Sequence, residues 1–193
     1  MGLGAMMFES AQQVDSEAKF AASAIAARGL YTAEERRRRD ATPWTLVQGT
    51  LAPVQFVVFL VSLCLVARYL MIGDGYDAAT LSIVIKTLTL YTIMITGAIW
   101  EKVVFGQYLF APAFYWEDVF SMLVLALHTL YLAALYFDWL SPTALMLLAL
   151  AAYATYIVNA AQFIWKLRMA RLQGARYEGA GAVPSAAYAE TAR

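Results

Sequence analysis

Residues 116–137 read WEDVFSMLVLALHTLYLAALYF. After Glu117 and Asp118 the run is apolar except for Ser121, His128 and Thr129, and His128 is the chain's only histidine. At about 1.5 Å per residue, residues 118–137 rise about 30 Å as a helix, the thickness of a bilayer's hydrocarbon core. Charge at the edge of such a segment is functional by default. Removing a carboxylate from water disfavours its ionised form, so acids placed here can hold a proton to donate.

Working outward, the pattern repeats. The chain has 193 residues, 62% hydrophobic and only 15% charged, more apolar than a soluble domain of this size requires. The excess is gathered into four blocks, residues 46–72, 78–100, 118–137 and 143–165, each long enough to span a bilayer. The expected fold class is all-α, a polytopic membrane protein with four transmembrane helices in an antiparallel bundle. Arg36, Arg37, Arg38 and Arg39 precede the first block, and Lys166, Arg168, Arg171 and Arg176 follow the fourth. The links IGDGYDA and FDWLSP are acidic or neutral, so the positive-inside rule puts both termini in the cytoplasm. The connection carrying Glu101, Glu117 and Asp118 then lies on the cytoplasmic side.

Three regions are expected: a variable N-terminal extension (1–30), the transmembrane domain (31–172) and a flexible tail (173–193). Thr32 with Glu35 three residues on marks the start of a short helix ahead of Pro43. The arginine run that follows either sets topology or touches anionic lipid. Cys64 reads as a small packing residue.

Antiparallel helices bring distant residues to one depth. Lys86 and His128 lie about 12 Å and 14 Å from the outer ends of their helices, near the midplane. Gln48, Gln55, Glu101, Glu117, Asp118, Asn159 and Gln162 lie nearer the cytoplasm. At about 100° per residue, Glu117, Ser121, Val124 and His128 form one stripe, and Asp118 points about 80° away from His128. Several roles stay open. Asn159, Gln162, Gln48 and Gln55 bond helix to helix or meet a substrate. Lys86 pairs with a carboxylate or snorkels outward. Glu101 forms an ion pair with Lys102 or takes part in chemistry. Trp100, Tyr108, Tyr115 and Trp116 form an aromatic belt or contact a flat ligand.

No HExxH, CxxC, glycine-rich phosphate loop or Ser-His-Asp pattern is present. One histidine supplies neither a bis-histidine haem nor a three-histidine metal site. Proton chemistry on an apolar substrate, pigment binding, transport and an assembly role remain.

Three stretches carry a resemblance: WTLVQGTLAPVQFVVFLVSL (44–63), LYTIMITGAIWEKVVFGQYLFAPAFYWEDVFSMLVLALHTLYLAAL (90–135) and YIVNAAQFIWKLR (156–168). Together they resemble the 3-vinyl (bacterio)chlorophyllide hydratases of bacteriochlorophyll synthesis, also called 2-vinyl bacteriochlorophyllide hydratases. The similarity runs from about Tyr31 to Arg171, and FAPAFYWEDVFSM is its most specific part. The resemblance implies a hydro-lyase that adds water to the C3 vinyl group of chlorophyllide a or 3-vinyl bacteriochlorophyllide a. The product carries a 1-hydroxyethyl group, and no cofactor is implied beyond the magnesium of the substrate. It also implies a bacterial inner membrane, cytoplasmic or intracytoplasmic, and contact with lipid and other enzymes of the pathway, with no nucleic acid. The rival reading is a pigment carrier or an assembly factor for photosynthetic complexes.

For that reaction Glu117 is the expected proton donor, and Asp118 or Glu101 the acceptor for the proton of attacking water. His128 ligates the substrate magnesium or orients Glu117 through water. Lys86, Tyr91, Tyr108, Phe114, Tyr115, Trp116, Asn159 and Gln162 are the remaining expected substrate contacts. Gly97, Gly106, Ala111 and Ala113 are expected to leave the macrocycle room.

Overall fold

A computed structural model describes residues 30–181, with side-chain surroundings up to 172. Residues 34–165 form one compact unit. Among the described residues all regular structure is helical: α1 (Ala33–Ala41), α2 (Pro43–Ile72), α3 (Tyr76–Phe105), α4 (Tyr115–Tyr136) and α5 (Pro142–Gly181). Four stretches are long and apolar enough to cross a membrane: Pro43–Ile72, Tyr76–Phe105, Tyr115–Tyr136 and Pro142–Leu172. The chain is a multi-pass membrane protein. Between 22% and 39% of the most apolar window of each span is buried, so most of its greasy surface faces outward.

The spans begin and end where local chemistry dictates. Thr42 accepts a bond from the Trp44 N–H at 3.4 Å, and Pro43 occupies the start of α2, where its missing N–H costs nothing. At the far end Gly73 is left-handed (φ +79°) and its N–H reaches the Tyr69 carbonyl at 2.7 Å. A Cβ at Gly73 meets nothing within 4 Å, so only the backbone resists one. We expect Gly73→Ala to lose about 1–2 kcal/mol, read as a lower thermal midpoint of the detergent-solubilised protein. Gly106 (φ +86°) closes α3 in the same way, and Lys102 Nζ bonds the Gly106 carbonyl at 2.7 Å.

α1 starts directly after Thr32, as its sequence signal predicts. Its arginines are partly neutralised within the helix: Arg37 and Arg38 reach Glu34 at 2.7 and 3.2 Å, and Arg39 reaches Asp40 at 2.7 Å. Hydrogen bonds from Arg37 and then Arg38 hold the Glu34 carboxyl below its usual range. α5 runs on past Gln173, where the tail was expected to begin, to Gly181. Alanine, arginine and glutamate favour helix there, and Pro184 lies just beyond. Residues 1–29 and 182–193 lie outside the described residues.

Within residues 34–165 the four spans bury narrow seams at three- and four-residue spacing: Gln55, Phe59, Ser62 and Val66 on α2; Ala79, Ile83, Lys86 and Leu90 on α3. The seam of α4 runs through Glu117, Ser121, Val124, His128 and Tyr131, the stripe expected from spacing alone. Phe59 packs its ring against Tyr153 and Tyr156 of α5, with centroids 5.3 and 4.9 Å apart. Tyr153 also bonds Ser62, which bonds Ser82 at 2.7 Å, so three hydroxyls tie α2, α3 and α5 at one level. Cys64, expected to pack inside, is exposed on the outer face of α2.

Candidate active site

The last turns of α3 and the first turn of α4 bring three acids into the interior. Glu101, Glu117 and Asp118 are all buried, at 5%, 7% and 3% exposure. Glu101 and Asp118 lie near enough to interact with each other.

The same pair holds the connection between the helices. Asp118 Oδ2 accepts the backbone N–H of Phe110 at 2.7 Å, and Glu101 Oε2 accepts that of Ala111 at 3.3 Å. Phe110 sits at φ +61°, a left-handed conformation that a bulky residue rarely adopts. Charge-assisted bonding to its N–H offsets that strain. Asp118 does point off the His128 stripe, yet it is buried because the 106–114 connection covers its side of the helix. Of the two readings of Glu101, the ion pair with Lys102 is not seen among the described residues: Lys102 caps α3 and lies over the Tyr108 ring, its Nζ 5.3 Å from the centroid.

One turn deeper than Glu117, Asn159 Nδ2 bonds Ser121 Oγ at 2.9 Å, joining α5 to α4. The side-chain oxygens of Asn159, Gln55 and Gln162 are buried without a hydrogen-bond partner. Deeper still, His128 is fully buried, with Nδ1 2.8 Å from the Val124 carbonyl. A carbonyl can only accept, so Nδ1 carries the hydrogen, and a neutral ring in that tautomer has its lone pair at Nε2. That Nε2 has no hydrogen-bond partner. Lys86 neither pairs with an acid nor snorkels: it is fully buried, with Nζ 3.9 Å from the Tyr156 ring centroid and 5.9 Å from that of Tyr153. The His128 ring lies 5.9 Å from the Tyr153 ring, so the two levels expected from depth reappear in the bundle.

Of the aromatic residues, Phe114 is buried in a cluster with Trp100, Phe105 and Phe163, at centroid distances of 5.7, 5.8 and 5.9 Å. Tyr91 bonds Thr129 at 2.8 Å across α3 and α4. Tyr108, Tyr115 and Trp116 are exposed on the outside of the same end of the bundle. The space beside Gly97 is taken by Gln48, whose Oε1 lies 3.6 Å from where a Cβ would stand and whose Nε2 bonds Thr96 at 2.7 Å. Gly106 serves as a helix cap, Ala111 is buried under Glu101, and Ala113 is half-buried in the turn before α4.

A family profile described as 2-vinyl bacteriochlorophyllide hydratase matches residues 31–169. The chain belongs to this family. A 2-vinyl bacteriochlorophyllide hydratase of Rhodobacter capsulatus is 70% identical over 148 residues, covering 77% of this chain and 86% of the relative. One of Cereibacter sphaeroides is 70% identical over 146 residues, covering 75% and 90%. No solved structure matches. The hydratase-family match takes in every acid, aromatic and amide of the site.

Sequence reasoning missed Tyr153, Tyr156 and Ser62, and it missed the Phe110 backbone. The tyrosines carry a signal, since a three-residue spacing on α5 places both on the seam continued by Asn159. Nothing local announces Phe110, whose conformation depends on two carboxylates from different helices.

Proposed function

We propose that this chain is a hydratase of bacteriochlorophyll biosynthesis that adds water to the 3-vinyl group of chlorophyllide a or 3-vinyl bacteriochlorophyllide a. The observation that carries this reading is the burial of three carboxyl groups at one end of a membrane bundle in a chain of this family. Glu117 gives its proton to the terminal vinyl carbon. The cation that results on the adjacent carbon is delocalised into the macrocycle, and water captures it. The proton lost by that water passes to the Glu101–Asp118 pair and returns to Glu117, so water is added and the enzyme is restored.

The reaction is redox-neutral and calls on no cofactor beyond the substrate's own magnesium. His128 Nε2, buried and bare, suits the axial position of that magnesium. Asn159, Gln55 and Gln162 offer amide oxygens to orient the attacking water. Tyr108, Tyr115 and Trp116 flank the carboxyl end on the lipid side, where a pigment would arrive, and Phe114 backs it from within. The active end faces the cytoplasm in a bacterial inner membrane, where other enzymes of the pathway exchange poorly soluble pigment with it.

The test is a pigment extract from cells lacking the protein. Vinyl pigments should accumulate, and membranes carrying the chain should convert added chlorophyllide to its hydroxyethyl product. A normal pigment pool with lost photosynthetic complexes would point to a carrier instead. His128→Ala should shift the absorption of bound pigment and weaken its binding by about tenfold, the equivalent of about 1.4 kcal/mol for one lost ligand. An unchanged spectrum of bound pigment would remove His128 from the magnesium.

A further inference from the structure

The mechanism above leaves Lys86 without work. It is fully buried, and its Nζ has neither a hydrogen bond nor an ion pair among the described residues. Its neighbours are the faces of Tyr156 and Tyr153, which give a cation partial support. His128 close by offers only a bare nitrogen. Lys86 is the eleventh residue of α3, about 15 Å from that helix's outer end, beyond easy reach of the surface. A lone ammonium so deep is costly, and a packing role would be met better by methionine or leucine. An anion brought from outside would complete it.

Register says where that anion would lie. The Ser121–Asn159 bond sets α4 and α5 level with each other. Glu117 is one turn from Ser121 towards the carboxyl end, and Tyr156, under Lys86 Nζ, is three residues from Asn159 in the opposite direction. The lysine nitrogen is thus about 10 Å along the bundle from the level of Glu117. This is the scale of a tetrapyrrole macrocycle. A chlorophyllide, unlike a chlorophyll, carries a free propionate, which is a carboxylate on a flexible arm at the ring's edge.

We infer that Lys86 receives the propionate carboxylate of the substrate, with the aromatic faces of Tyr153 and Tyr156 around the ion pair. This rests on the hydratase reading for the identity of the ligand. Lys86 is then a specificity-determining residue: it makes the protein select the free acid over an ester and anchors the ring so that its vinyl edge faces Glu117.

The test compares chlorophyllide a with its methyl ester, which has the same macrocycle and no negative charge. Binding to the detergent-solubilised full chain is followed by the absorption of the pigment, and hydration is measured in the same samples. Wild type should bind the free acid at least about tenfold more tightly than the ester, the worth of one charge-assisted bond. Lys86→Met should bind both with the affinity wild type shows for the ester. Equal binding of acid and ester by wild type overturns the inference, with no variant needed. So does a Lys86→Met protein that keeps the preference or loses affinity for both in the same ratio. Selective binding of the acid without hydration would leave the carboxylate site standing and remove the hydratase reading.

Discussion

Glu117→Gln should slow hydration of added chlorophyllide by at least about a hundredfold while leaving pigment binding within a few-fold of wild type. Glutamine keeps the size of the side chain and cannot donate an acidic proton. The geometry favours Glu117 over its neighbours for this step. Asp118 and Glu101 are committed to the backbone of Phe110 and Ala111 and to each other. Glu117 instead heads the buried stripe that continues through Ser121, Val124 and His128 into the bundle. On the proposed reading, a proton delivered from that position enters the interior of the bundle beside the ring. Undiminished hydration by the variant would exclude Glu117 as the donor.

Asp118→Ala should act on the connection rather than on the acid alone. Removing the carboxylate leaves the Phe110 N–H without its acceptor and the left-handed Phe110 without its support, a loss of about 1–3 kcal/mol. The expected results are a lower thermal midpoint and faster proteolytic cleavage within residues 106–114, together with loss of hydration. Asp118→Asn retains an acceptor oxygen and should restore most of the protection from cleavage without restoring activity. Adding Phe110→Gly to Asp118→Ala should also recover stability, since glycine adopts a positive φ without strain. Cleavage at the wild-type rate in Asp118→Ala would show that the carboxylate does not hold the connection.

Much of this architecture was legible before any coordinates. The four spans follow from apolar block length, and the Glu117, Ser121, Val124 and His128 seam follows from helical periodicity. The nearness of Lys86 and His128 follows from depth in an antiparallel bundle. What the periodicity of single helices cannot show is what covers each face. Asp118 looked misdirected because its partner is a backbone N–H from the preceding connection. Gly97 looked like room for a ligand because Gln48, distant in sequence, fills it. Lys86 looked ready for an acid or for the surface because the tyrosines beneath it lie on α5, some seventy residues on. Each miss is a contact whose second half lies outside the helix that carries the first.

The Glu101–Asp118 contact also bears on how the protein is made. α2 and α3 are joined by only Gly73, Asp74 and Gly75, with Arg68 bonded to Asp74 at 3.0 Å across the turn, so they form one tight hairpin. α4 and α5, joined by residues 137–141, form a second. Glu101 belongs to the first hairpin and Asp118 to the second. Neither hairpin alone contains both acids, so the 106–114 connection is held at both Ala111 and Phe110 only when the two are docked. Bringing the two acids together is therefore the work of helix docking, and no single hairpin carries both.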